Sequence, residues 1–162
     1  SIRFTDAGVG NKLLLTEEEL LKNLNKVQVG NQLRDDEISN SIEKLWYTEI
    51  NPPSEIIPEN LVTTGFPNYS VEIETGTGKT YVYLRSIYEL NKVYGFKKFV
   101  IVVPSVAIRE GVVKSLEITF DNFQEIYEKQ PTEFTVYDSF RITELGNFAK
   151  SNAVQILVIN LD

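Results

Sequence analysis

Apolar positions first fall into a period after Thr16, where Leu20, Leu21, Leu24 and Val27 recur at helical spacing. Thr16 with Glu19 three residues later predicts a capping box at the start of that helix, and Gly30 marks a stop. A second stretch, Asp36–Tyr47, places Ile38, Ile42, Leu45 and Trp46 on one side and predicts another helix. Asn51-Pro52-Pro53, Pro58, Gly65 and Pro67 then read as breaks in regular structure. Residues 1–68 are thus expected to form a partly helical lead-in.

From Tyr69 the pattern changes, and short β-branched runs alternate with helical ones. Ser70–Glu74 reads as a strand. Lys79–Tyr94 reads as a helix, with Tyr83, Ile87, Leu90 and Tyr94 on one face and Gly95 past its end. Lys98–Val103 reads as a buried strand stopped by Pro104. Val106–Phe120 is helical through Ile108, Val112, Leu116 and Phe120. Phe134–Tyr137 reads as a strand, Arg141–Lys150 as a helix and Val154–Ile159 as a strand with almost no polar interruption. Strands apolar on both faces and separated by helices predict a parallel sheet covered on both sides. The expected fold is α/β, open and doubly wound.

Composition narrows the chemistry. The 162 residues hold no Cys and no His, which removes disulfides, thiolate nucleophiles, Cys/His zinc sites and His general bases. No apolar run approaches the roughly 18 residues of a membrane span, and the first residues lack a signal peptide's order. A cytoplasmic protein with no membrane partner is the default expectation. The absence of Met, the start at Ser1 and the end at Asp162 after a strand-like run suggest a piece of a longer protein. The net charge of −7 argues against a freestanding nucleic-acid binder. Its distribution is uneven: residues 1–70 carry 6 basic and 11 acidic residues, 71–120 carry 7 and 5, and 121–162 carry 3 and 7. The one locally basic third also holds the motif that carries chemistry, although ordinary surface scatter produces swings of this size.

That motif is Glu74-Thr75-Gly76-Thr77-Gly78-Lys79-Thr80, set between a predicted strand and a predicted helix. This is the setting a phosphate-binding loop needs. Gly76 and Gly78 admit backbone angles closed to other residues. The N–H groups of Thr75 to Thr80 can then converge on one concavity, backed by the positive end of the helix. The Lys79 ammonium can reach β- and γ-phosphates, and the Thr80 hydroxyl can ligate Mg²⁺. The full pattern asks for Gly or Ala five residues before Gly78, where Ile73 stands. The competing reading is a glycine-rich turn with an incidental exposed lysine.

The wording Thr75-Gly76-Thr77-Gly78-Lys79-Thr80 resembles that used by superfamily 2 helicases and translocases. Val102-Val103-Pro104-Ser105 closes the second predicted strand and opens a helix with Val106, where such motors touch a nucleic-acid backbone. Ser105 is either a phosphate contact or a plain N-cap. Arg109 either reaches a phosphate or pairs within the protein surface.

Longer stretches carry a more specific resemblance. Val71 to Arg85, Phe96 to Val112, Tyr137-Asp138-Ser139 and Asn147-Phe148-Ala149 with Gln155 to Asn160 resemble the restriction (Res) subunit of type III restriction-modification enzymes. The similarity covers residues 69–162 well and Asn11–Asn31 more weakly. In that family a Met commonly stands at the place of Ile73. The resemblance implies an incomplete RecA-like P-loop domain with an open, mostly parallel sheet flanked by helices. It implies a DNA-dependent ATPase working with a methyltransferase (Mod) subunit on double-stranded DNA, with a separate nuclease domain. Carried over, Glu74 to Thr80 would bind ATP–Mg²⁺, with Lys79 and Thr80 catalytic and Thr80 on the metal. Ser105, Val106 and Arg109 would face the DNA backbone. Ser139 would join the same groove or simply sit in a strand-end turn. Residues 69–162 would form the front half of the first motor domain, and the Asp-Glu motif would lie outside this chain, since Asp162 has no Glu after it. Alone, this stretch is expected to hydrolyse ATP negligibly and cut nothing. The alternatives are another superfamily 2 motor without a nuclease, or a P-loop small-molecule kinase. For the lead-in, the helices would cover a sheet edge, dock a partner subunit or pack on this domain.

Overall fold

A computed structural model of the chain describes Asn11 and residues 14–50, 61–74, 76–137 and 142–161. The chain divides into two compact units, one built on Leu14–Glu72 and the other on Ile73–Asp162 with Asn11.

In the first unit, α1 (Glu17–Gly30) starts where the sequence predicts. Thr16 Oγ1 accepts the Glu19 N–H at 3.2 Å, and the Glu19 carboxylate accepts the Thr16 N–H at 2.8 Å. These two bonds satisfy N–H groups that a helix start leaves free. They also hold the Glu19 carboxyl below its ordinary value of 4.5, the backbone bond from Thr16 contributing most. A carboxyl lowered by folding supports the folded form above the unfolded value and loses that support as pH falls through the folded one. The α1 start is therefore expected to fray as pH drops below about 4.5, read by faster exchange of the Glu19 amide than of amides mid-helix.

The helix expected over Asp36–Tyr47 does not form. A short 3₁₀ turn, Asp35–Glu37, ends at once, and β1 (Lys44–Ile50) pairs antiparallel with β2 (Leu61–Pro67), from Lys44 opposite Pro67 to Ile50 opposite Leu61. Ser39, Asn40 and Ser41 favour turns, and Trp46, Tyr47 and Thr48 favour a pleated strand. The proposed apolar side is also split, since Ile42 is buried while Leu45 and Trp46 are exposed. Gly65, expected to break structure, lies inside β2, and Pro67 ends it. A Cβ at Gly65 would come within 2.9 Å of the Trp46 ring, so the glycine lets the indole lie across the hairpin.

The second unit is α/β. Its strands β3 (Lys98–Val103), β4 (Thr132–Val136) and β5 (Val154–Asn160) lie parallel in the order β3-β5-β4. Helices α2 (Lys79–Tyr94), α3 (Val106–Ile126) and α4 (Ile142–Lys150) connect or flank them. The central β5 is buried from Val154 to Val158, which explains its nearly continuous apolar run; the one polar residue in it, Gln155, donates its amide to Glu133 and Ser151. One face, Val154, Ile156 and Val158, packs with Leu84, Ile87 and Tyr88 of α2 and Val112, Leu116 and Phe123 of α3. On the other face the Lys98 ammonium lies 5.6 Å from the ring of Phe148 in α4. The expected open parallel sheet with helices on both sides is borne out. Its cover is uneven, because Val100 and Val102 on the second face of β3 are 53% and 52% exposed.

No strand forms at Ser70–Glu74. These residues carry strand composition, but a strand exists only beside a hydrogen-bonded neighbour. Among the described residues neither β3 nor β4 pairs with them, and Val71 is 76% exposed. No helix among the described residues is long and apolar enough to cross a membrane.

Candidate phosphate-binding site

Gly76 and Gly78 both take left-handed backbone angles, φ +84° and +87°. At each a Cβ would meet nothing within 4 Å, so open space lies before the loop. Thr77 anchors the turn, its hydroxyl donating to the Glu74 carbonyl at 2.6 Å. The Thr77 hydroxyl is therefore turned back onto the loop backbone.

α2 begins at Lys79 with Gly78 as N-cap and no side-chain cap. Among the described residues nothing accepts its first N–H groups, which leaves them for an outside acceptor. The other two long helices differ: Thr16 caps α1, and Ser105 Oγ caps α3 by accepting the Ile108 N–H at 3.4 Å. Lys79 is exposed, and no carboxylate among the described residues pairs with it. An uncapped helix start and an exposed ammonium beside two left-handed glycines with open space before them fit a phosphate group. No group of three acidic residues that would cage a metal occurs among the described residues. The Thr80 hydroxyl in the first turn of α2 is of the kind that could serve as a single protein ligand to Mg²⁺, which usually keeps phosphate oxygens and waters besides. Gly78→Ala forces a Cβ into the left-handed region, at a cost of about 1–2 kcal/mol. The empty loop of the variant would relax to shed that strain and would have to take it up again on binding, so ATP–Mg²⁺ affinity is expected to fall roughly tenfold in a fluorescent-nucleotide titration.

The Tyr83 phenol stands one turn after Thr80. Burial pushes its pKa up, and the nearby Thr80 hydroxyl pulls it part of the way back. No group meets hydrogen-bond geometry with its buried oxygen.

The second cluster lies at the carboxyl ends of the strands, where open α/β sheets bind ligands. The Leu161 N–H donates to the Val103 carbonyl at 2.9 Å, bringing the ends of β3 and β5 together beside the start of α3. α2 joins β3 through Gly95–Lys97, so it runs back along the sheet and starts toward the same edge. Val106 is half exposed there. Arg109 is mostly enclosed. Its guanidinium donates to the Asn160 side chain at 2.8 Å and to Glu110 at 3.1 Å. It ties α3 to the end of β5, a pairing that sequence pattern does not show because the partners are 51 residues apart. Thr75 and Ser139, both singled out in the sequence, lie outside the described residues.

Residues 18–162 match the family described as type III restriction enzyme, res subunit. The chain belongs to that family. It is 32% identical over 130 residues to the EcoPI Res subunit of Escherichia phage P1, covering 79% of this chain and 11% of that protein. To the StyLTI Res subunit of Salmonella typhimurium it is 36% identical over 110 residues, 57% of this chain and 11% of that protein. To the EcoP15I Res subunit of Escherichia coli it is 40% identical over 68 residues, 41% of this chain and 7% of that protein. The chain thus spans about a tenth of the length of these Res relatives. The family match covers the loop, α2, α3 and the whole parallel sheet.

Proposed function

We propose that this Res-family chain carries the ATP-binding part of a DNA-dependent ATPase that drives cleavage of unmodified double-stranded DNA by a type III restriction endonuclease. The observation that supports this most is the uncapped start of α2 behind two left-handed glycines, with the Lys79 ammonium free beside it. Glu74 to Thr80 would wrap the triphosphate, largely through backbone N–H groups. Lys79 would offset charge on the β- and γ-phosphates, and Thr80 would supply one ligand to Mg²⁺. The bound metal would neutralise phosphate charge.

Ser105 and Val106, at the start of α3, would meet the DNA backbone, with Ser139 as a further contact. Ser105 already spends a lone pair on the Ile108 N–H and keeps its O–H to donate. Arg109 would serve that surface by holding α3 to β5 through Asn160. Residues 69–162 would act as the front half of a motor domain and residues 1–68 as its lead-in. The methyltransferase subunit and site-bearing DNA would be the partners, in the cytoplasm.

The test is ATP turnover by the whole protein with its methyltransferase subunit, with and without double-stranded DNA bearing the subunit's site. Turnover raised by DNA, with cleavage products in the same reaction, is the expected result. Turnover indifferent to DNA would falsify the motor reading.

A further inference from the structure

The sequence motif leaves Tyr83 unexplained, and the structure gives it an unusual position. It stands three residues after Thr80 on α2. Long side chains on a helix lean toward its N-terminus over the preceding turn, so the phenol lies along the turn that carries Lys79 and Thr80. Its ring packs against the apolar core, which fixes that direction. Its oxygen is shut off from solvent and makes no hydrogen bond. Buried hydroxyls are almost always partnered, because an unmade bond there is costly. Thr80 shares its helix face one turn earlier, and its hydroxyl is close enough to act on the phenol electrostatically.

A threonine that ligates a cation does so through an oxygen lone pair and still carries its hydrogen. That hydrogen needs an acceptor. We propose that Tyr83 Oη is this acceptor, a positioning residue that turns the Thr80 hydroxyl so that its lone pair faces the Mg²⁺ held with nucleotide phosphate. The inference rests on the phosphate-loop reading above. Tyr83 touches neither nucleotide nor metal. It acts through Thr80, and no bond is made or broken at it.

The experiment is Mg²⁺ titration of fluorescent ATP-analogue binding to the whole protein, comparing wild type, Tyr83→Phe, Thr80→Ala, the double variant and Lys79→Ala. Tyr83→Phe is expected to raise the Mg²⁺ concentration for half-maximal binding about three- to tenfold, the worth of one hydrogen bond. It should leave nucleotide affinity in EDTA unchanged. Because Oη makes no hydrogen bond here, removing it should leave the melting temperature equal or higher. In the Thr80→Ala background the same substitution should change nothing further. An unchanged Mg²⁺ requirement in Tyr83→Phe overturns the assignment, as does an equal effect with and without the Thr80 hydroxyl. If Tyr83→Phe misfolds, the idle oxygen was structural and the assignment falls too. Wild type binding no better than Lys79→Ala would bring down the phosphate-loop reading itself. Wild type binding well while Tyr83→Phe keeps the wild-type Mg²⁺ dependence removes only the role of Tyr83.

Discussion

Lys79→Ala is expected to lower the DNA-stimulated ATP turnover of the whole protein by about 100-fold or more, the usual loss when one preorganised stabiliser of transition-state charge is removed. Lys79 sits at the first position of α2, exposed and without a carboxylate partner among the described residues. Its charge is therefore not spent on the protein. On the proposed phosphate-loop reading, that free ammonium would offset the charge that spreads over the phosphoryl group in the transition state. The substitution removes a flexible, exposed side chain and no packing, so the melting temperature should hold within the scatter of surface changes. The check is steady-state turnover with saturating ATP, with and without site-bearing DNA, alongside a thermal melt. A variant that keeps more than a tenth of wild-type turnover would show that the free ammonium does not serve the phosphates.

Phe123→Ala is expected to cost about 3–5 kcal/mol, the range for truncating a buried aromatic. Phe123 is 1% exposed. Its ring stacks on Tyr88 at 4.9 Å and on Tyr81 at 5.0 Å and tilts against Tyr127 at 6.3 Å. Such ring pairs add about 0.5–1.5 kcal/mol each beyond the area they bury. Against a typical stability of about 5–15 kcal/mol, the loss would consume much of the margin of the second unit. The consequence reaches the site, because Tyr81 lies in the first turn of α2 beside Thr80 and loses the ring that holds it. Urea unfolding followed by far-UV circular dichroism is the suitable readout. The single Trp, Trp46, belongs to the other unit, so its fluorescence would report on the wrong part of the chain. A loss below about 1 kcal/mol would mean that α3 does not pack on α2 through this ring.

The sequence by itself determined much of the second unit and of the loop. Val154–Asn160 announces itself because a strand buried in a parallel sheet loses the alternation that marks half-exposed ones, whereas Lys98–Val103 was legible from its β-branched run even though Val100 and Val102 are half exposed. Thr16 with Glu19, Gly78 before α2 and Gly95 after it were legible because caps are local chemistry, made within a few residues. The doubled glycine with Lys79 and Thr80 is likewise a local pattern. Only the tertiary structure decided what depends on a distant neighbour. Asp36–Tyr47 shows helical spacing, yet β2 supplies the backbone partners that draw Lys44–Ile50 into a hairpin. Ser70–Glu74 has strand composition and no paired neighbour among the described residues. Arg109 finds Asn160 across 51 residues, and Tyr83 leaves its hydroxyl idle beside Thr80 only because the core holds its ring in place. Local propensity is written in a few adjacent side chains, whereas a hydrogen-bonded neighbour or a packed ring exists only once distant segments have met.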